Sequence, residues 1–283
     1  MDSIKIAFLN VGHGDSSVII FSDEKSAGVI DTPNAQITYD YLKKNNIICL
    51  KWVMISHTHN DHIYGIVGLI EQFKQEGGII ETLYYNYDDI RFKNQNNKNT
   101  RYKVFLQRIR SLKEQNIIKN HTKPAIISIS FNPIKDIHVE ILHPAHEDIG
   151  EILPSPNRKN DTSVVVKILF GKVSILFTGD LSEEGWKWLK SRNFDLKADI
   201  LKYPHHGGWF ESTPELIDSV NPEYVILSYG ETSKKQHGLP ADETIAYLKK
   251  RKKRFVSTQS SHQEFMITPE SIKHLCGSQS LEV

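Results

Sequence analysis

Short apolar runs rich in valine and isoleucine recur along the chain between polar turns, the signature of many short strands. A first set is predicted at residues 4–11, 17–21, 28–31, 52–56 and 79–85, and a second at 126–131, 137–142, 163–170, 173–178, 200–203 and 224–228. Helical periodicity takes over between them. Residues 63–75 place Ile63, Ile66, Val67, Ile70 and Phe73 on one stripe, the pattern of a helix with one face on a core. Further helices are predicted at 182–190, 214–220 and 242–254, the middle one opened by Thr213 with Pro214 at its first position. Two strand-rich halves interleaved with helices predict an α/β sandwich of two packed sheets in one domain spanning 1–283. Residues 88–120 break the pattern with an asparagine-rich tract, then a basic amphipathic helix carrying Tyr102, Phe105, Leu106, Ile109 and Leu112. This segment reads as an insertion lying over the core.

Composition narrows the class. The apolar share of 39% in 283 residues is enough to build one core. The net charge of +1 gives no steer toward nucleic acid or membrane. No apolar run approaches the ~20 residues needed to span a bilayer, and residues 1–5 lack the basic and apolar regions of a secretion signal. The expected location is therefore the cytoplasm, with no membrane contact. Cys49 and Cys276 are the only cysteines and neither lies in a CxxC spacing, so both are expected to be packed thiols.

The densest chemistry is the run Ser56-His57-Thr58-His59-Asn60-Asp61-His62, an HxHxDH pattern directly after a predicted strand. Neutral imidazoles are the commonest metal ligands, and a carboxylate beside them binds a second metal or steers an attacking water. Two further groups share that position: Gly179-Asp180 follows the strand at 173–178, and Pro204-His205-His206-Gly207-Gly208 follows the strand at 200–203. Loops at the C-terminal ends of strands converge in open α/β sheets, so residues more than a hundred positions apart are expected to meet.

The chain resembles the metallo-β-lactamase superfamily on those residues, and in particular the ComEC-like hydrolase domain of DNA-uptake proteins and its free-standing relatives. Further pieces carry the likeness: residues 10–16, Asn-Val-Gly-His-Gly-Asp-Ser; Val29-Ile30-Asp31-Thr32; Asn160-Asp161-Thr162-Ser163; Leu176-Phe177-Thr178-Gly179-Asp180; and residues 201–207. The resemblance implies an αββα sandwich of two mixed sheets flanked by helices, with a one- or two-metal site at one edge. It implies that His57 and His59 hold a first metal, that Asp61 and His62 hold a second, and that Asp180 bridges both. The doublet His205-His206 would supply a late imidazole, with His205 favoured and His206 left for substrate or supporting contacts. Asp31 would support the HxHxDH turn, or else form an Asx turn before Pro33. Where the superfamily usually places another histidine, this chain has Asp161, a candidate ligand, with His143 as its rival. A second departure puts Leu239 where relatives carry a histidine before proline, and His237 is the candidate replacement.

The expected cofactors are two divalent ions, zinc from the mixed histidine and carboxylate shell, or manganese where oxygen ligands are many. Such an ion lowers the pKa of water from 15.7 toward ~7 and stabilises charge on phosphoryl oxygens. Asp61 or Asp180 would orient the resulting hydroxide, and Lys202 would neutralise a phosphate. The resemblance implies a phosphodiester substrate, a nucleic acid or a nucleotide. The series Arg101, Lys103, Arg108, Arg110 and Lys113, interleaved with Tyr102 and Phe105, suits a backbone with stacked bases, and the run 249–254 adds six cations. Both runs also fit ordinary solvated helix faces. The alternatives are an ester, lactone or thioester hydrolase using the same metals, and a regulatory protein that keeps the fold without catalysis.

Overall fold

The computed structural model describes residues 3–85, 100–118, 123–124, 129–145 and 157–275. In chain order the first strands are β1 (Ile4–Phe8), β2 (Ser17–Ile20), β3 (Ser26–Ile30), β4 (Cys49–Met54), β5 (Ile79–Tyr85) and β6 (Lys123–Pro124). The next are β7 (Ser130–Phe131), β8 (Ile137–His143), β9 (Val165–Phe170), β10 (Val173–Phe177), β11 (Ile200–Lys202), β12 (Tyr224–Leu227) and β13 (Arg254–Ser257). The last are β14 (Gln263–Thr268) and β15 (Ser271–Leu275). Among the described residues these form an eight-stranded sheet, ordered β15-β14-β1-β2-β3-β4-β5-β6, and a seven-stranded sheet, ordered β13-β12-β11-β10-β9-β8-β7. Both are mixed: β3, β4 and β5 run parallel, as do β10 to β13, while β1, β2 and β14 pair antiparallel.

The helices are α1 (Ala35–Lys44), α2 (Asn60–Ile63), α3 (Ile66–Gln75), α4 (Thr100–Glu114), α5 (Arg158–Asp161), α6 (Glu183–Ser191), α7 (Thr213–Val220), α8 (Glu231–His237) and α9 (Asp242–Lys250). Strand alternation sorts the side chains into three apolar layers. Ile4, Ile6, Phe8, Trp52 and Met54 meet Ile141, Ile168, Ile175 and Phe177 between the sheets. Ala7, Val29, Val53 and Leu83 face outward onto Leu42 of α1, Leu69, Ile70 and Phe73 of α3, and Ile109 and Leu112 of α4. On the far side Val165, Leu176, Leu201 and Val225 receive Trp186 and Leu189 of α6, Ile217 of α7 and Leu248 of α9. The order is therefore helix, sheet, sheet, helix, as expected.

Several details differ from the sequence reading. The helix predicted over 242–254 stops at Lys250, a turn follows, and Arg254 opens β13. Three of its six cations have surface partners: Arg251 pairs with Asp218, Arg254 Nη1 lies 2.8 Å from Glu223, and Lys253 Nζ donates to Asn221 at 2.8 Å. Helix α1 has no counterpart in the prediction; its inward face includes Thr38, Tyr39 and Tyr41, which blur the apolar stripe, and Asn34 caps it by accepting from Ile37 N at 3.2 Å. Much of the predicted 88–120 insertion and of the strand at 126–131 lies outside the described residues. What is described of the insertion, α4, packs Ile109 and Leu112 into the outer layer and pairs Arg108 with Glu71 at 2.6 Å. Among the described residues no helix is long and apolar enough to cross a membrane.

Candidate metal centre

Five loops deliver the site. The β1–β2 loop carries His13 and Asp15, the residue after β3 is Asp31, β4 runs into the turn His57–His62, β10 ends at Gly179-Asp180, and β11 leads into His205-His206. Backbone conformation does much of the aiming. Asp31 sits at φ 57°, and His205, His206 and Gly207 follow one another at 49°, 54° and 93°. Left-handed non-glycine residues of this kind cost about 1–3 kcal/mol each and persist only where surrounding contacts impose them. Here they reverse the chain so that the second ring of the doublet, not the first, turns inward. Gly14 lets the β1–β2 loop touch the HxHxDH turn: it lies at φ 118°, and a Cβ there would come within 2.1 Å of the Asp61 carbonyl. Asp15 N then donates to that same carbonyl at 3.2 Å.

Among the described residues, two of the three groups of candidate donor atoms share the carboxylate of Asp180, while the third, Asp15, Asp31 and His62, lies behind the second of them. His57, His59 and Asp180 form the first, and Asp61, His62, His206 and Asp180 the second. In the first, His57 Nε2 is 3.0 Å from His59 Nδ1 and 3.7 Å from Asp180 Oδ2. In the second, His206 Nε2 lies 3.2 Å from Asp61 Oδ2 and 3.3 Å from Asp180 Oδ2, and His62 Nε2 lies 3.3 Å from Asp180 Oδ1. The opposite ring nitrogens are anchored. His62 Nδ1 donates to Asp31 Oδ2 at 2.7 Å, and His206 Nδ1 donates to the Ser228 carbonyl at 2.9 Å. Such bonds fix the tautomer that leaves Nε2 as the free donor toward a metal. Asp31 also accepts from Ser56 N at 2.7 Å and Ser56 Oγ at 2.5 Å, tying the HxHxDH turn to the end of β3.

The electrostatics match. Burial holds His57 well below the ordinary histidine value, with His62 adding to the effect. Burial lowers His59 too, helped by the Lys159 ammonium. Both rings are thus in the neutral form that ligates. Burial also pushes His62 and His206 toward neutrality, but Asp180, with Asp31 for the one and Asp15 for the other, outweighs it and holds both well above the usual value. Against the effect of burial, hydrogen bonds from His13 and His206 keep Asp61 well below the carboxylate range, and the charges of His206 and His62 do the same for Asp180. This pocket demands positive charge.

A divalent ion fits it. His62 Nε2 and Asp180 Oδ1 are buried 3.3 Å apart, and neither makes a well-formed hydrogen bond to the other or to any other described group, a costly state unless something else satisfies them. Four imidazoles and two carboxylates supply the donors, a set that suits zinc or a similar divalent ion.

Not every predicted residue joins the cluster. His206 takes the inward place expected of His205, whose ring stacks on Phe210 at 6.2 Å between centroids. Asp161 is fully buried but faces α6, where Oδ1 accepts from Ser182 Oγ and, at 3.1 Å, from Gly185 N. His143 Nε2 donates to the Asp161 carbonyl at 2.7 Å and so belongs to the same bracket. Lys202 is 2% exposed; its ammonium touches Asp15 and donates to the Gly179 carbonyl at 3.2 Å, inside the protein. His237 stacks on His13 at 4.9 Å, at the rim. Two site residues had been assigned no role from sequence. His13 Nε2 is 3.1 Å from Asp61 Oδ2 while its Nδ1 lies 2.7 Å from Ser233 Oγ of α8, and Asp15 lies 3.5 Å from His206 Nδ1. The signal was the glycine-flanked stretch Gly12-His13-Gly14-Asp15 between two strands.

Comparison with known proteins agrees with this geometry. ComE operon protein 3 of Bacillus subtilis is 30% identical over 128 residues, 45% of this chain and 15% of that protein. Competence protein ComA of Neisseria gonorrhoeae is 30% identical over 92 residues, 31% of this chain and 13% of that protein. The matches thus span about a seventh of these relatives. Among solved structures, the metallo-beta-lactamase fold protein YhfI of Bacillus subtilis superposes with TM-score 0.55 at 16% identity, covering 93% of this chain and all (100%) of that one, a likeness of fold. The family model described as "Metallo-beta-lactamase superfamily" matches residues 9–231, a span that contains every donor named above, and the chain belongs to that superfamily.

Proposed function

We propose that this superfamily hydrolase is a metal-dependent phosphodiesterase whose substrate is a nucleic acid or a nucleotide. The observation that carries the reading is the shared carboxylate of Asp180, flanked by His57 on one side and by His62 and His206 on the other. His57 and His59 would hold one ion, Asp61, His62 and His206 the other, with Asp180 between them. A pair of divalent ions held by these residues would supply hydroxide at neutral pH and stabilise charge on phosphoryl oxygens. Zinc is the favoured ion and manganese the second.

The chain's own residues support an anionic substrate. Lys159 on α5 is half-buried, acts on His59 through its charge, and makes no ion pair among the described residues. The loop that bears it lies on the ligand turns: Val164 N donates to the Ser56 carbonyl at 2.9 Å and Asp180 N to Ser163 Oγ at 3.1 Å. Lys159, rather than the buried Lys202, is therefore the cation placed to meet a phosphate. Asp61, partly exposed and held by His13, orients a nucleophile at the open side. Tyr64 and Trp209, 74% and 38% exposed, follow the two histidine turns and suit stacking against bases.

The test is an assay of the metal-analysed protein on bis-p-nitrophenyl phosphate, single- and double-stranded DNA, RNA and p-nitrophenyl acetate, with and without chelator. Chelator-sensitive cleavage of the diesters is expected, and the preferred polymer names the substrate. Turnover of the uncharged ester alone would replace the proposal with a carbonyl hydrolase. Metal-free, inert protein would favour a regulatory role.

A further inference from the structure

Lys202 and Asp15 meet inside the protein, 2% and 4% exposed. The Asp15 carboxylate stands behind both rings of the second ligand group. One oxygen is 3.5 Å from His206 Nδ1 and the other 4.0 Å from His62 Nδ1, the sides of those rings that face away from Asp180. Lys202 closes the back of this arrangement. Its ammonium pairs with Asp15 and donates to the carbonyl of Gly179, the residue immediately before the shared carboxylate. Its own carbonyl accepts from Thr178 Oγ1 at 2.7 Å, so the ends of β10 and β11 are joined twice at this point. A buried carboxylate is tolerated only with a partner of opposite charge and satisfied hydrogen bonds, and Lys202 is the ammonium in contact with it.

We infer that Asp15 and Lys202 form a buried positioning pair, a cation and an anion supplied by the protein, which holds His206 and Asp180 in the geometry that the second metal subsite requires. Neither residue touches substrate. The pair connects three separate loops, those bearing Asp15, Asp180 and His206, and reaches the first group only through Asp180. Its loss therefore weakens one ion far more than the other. The inference rests on the metal reading proposed above, not on the identity of the substrate.

The test is metal binding by the full chain, stripped of metal and titrated with Zn2+ against a chromophoric chelator. Wild type is compared with Lys202→Met, Asp15→Asn and the double variant, with folding followed by circular dichroism. Two equivalents are expected in wild type. In Lys202→Met one equivalent should weaken by about 10–100-fold, the scale seen for partners that orient ligands, while the other is unchanged. The double variant should be no weaker than the worse single one, because the pair acts as a unit. Placing His59→Ala in the same backgrounds assigns the weakened equivalent to Asp61, His62 and His206. Should Lys202→Met fail to fold, Asp15→Asn, close to isosteric, supplies the same measurement. Two unchanged affinities in the folded variants, or two that fall together in step with thermal stability, would overturn the inference. So would wild type that takes up no zinc. Intact, selectively weakened metal binding in a protein that cleaves no phosphodiester would instead overturn the substrate proposal and leave this one standing.

Discussion

The two ligand groups that share Asp180 are supported to very different depths. His62 and His206 are backed by Asp31, Asp15, Lys202 and the Ser228 carbonyl, nearly all buried, and Asp61 is held from the rim by His13. Behind His57 stands Ser56 Oγ at 3.1 Å, and His59 is partly exposed, with a lysine for a neighbour. Each group has one partly exposed member, Asp61 in the second and His59 in the first, and His57 is as buried as His62; the difference lies in how many buried groups stand behind the rings. Orientation by a second layer of hydrogen bonds raises ligand basicity and metal affinity, so an ion held by the more heavily backed group is expected to leave last.

The strongest challenge to this contrast is Asp180→Ala, which strikes both groups. We expect loss of at least one equivalent of metal and a fall in kcat of about a thousandfold or more, given the several kcal/mol that metal ions contribute to transition states, in a protein that remains folded. Elemental analysis beside the diester assay measures both. The two histidines should then separate stability from activity. His62→Ala leaves the buried Asp31 carboxylate without its charged partner, with only the bonds from Ser56 remaining, at a cost of about 3–5 kcal/mol, whereas His59→Ala should cost less than about 1 kcal/mol and still abolish hydrolysis. Equal melting temperatures for the two would contradict the difference in support. Slow dialysis against a chelator should remove ions in sequence, the His57 and His59 ion first, read as a plateau near one equivalent; simultaneous loss would show that the groups are not distinct. Gly14→Ala forces a Cβ against the Asp61 carbonyl and should cost about 1–3 kcal/mol, with a weakened second ion. The smallest effect belongs to the open side: Lys159→Ala should raise KM for a diester about tenfold, the worth of a charge-assisted hydrogen bond, with metal content unchanged and the hydrolysis of an uncharged ester unaffected.

The central strands and the ligand turns were legible because buried strands are continuous apolar runs, and HxHxDH, Gly179-Asp180 and the histidine doublet stand where those runs stop. Direction was not legible. Nothing in the doublet reveals that positive φ at both residues turns His206 inward and His205 onto Phe210. Nor does the composition around Asp161 reveal that its carboxylate caps the start of α6 through Ser182 and Gly185. Lys202 lies at a strand end, as expected, yet which way a strand-end lysine points depends on Asp15, nearly two hundred residues earlier in the chain. The C-terminal hairpin escaped for a different reason. β14 alternates buried and half-buried positions and β15 is mostly solvated, so its apolar content is too dilute to announce a strand, and no local pattern says which sheet it joins.

That hairpin has a bearing on how the protein is made. β14 pairs with β1, from Ile4 opposite Ile267 to Phe8 opposite Gln263, so β1 acquires its second neighbour only after some 250 further residues have been made. Until then one edge of β1 offers unpaired backbone groups beside Ile4, Ile6 and Phe8, a template for stray strands from other chains. A nascent or prematurely terminated chain ending before Gln263 would carry every donor of the metal centre and still be prone to aggregate, because the ligands are in place before the sheet beneath them is closed.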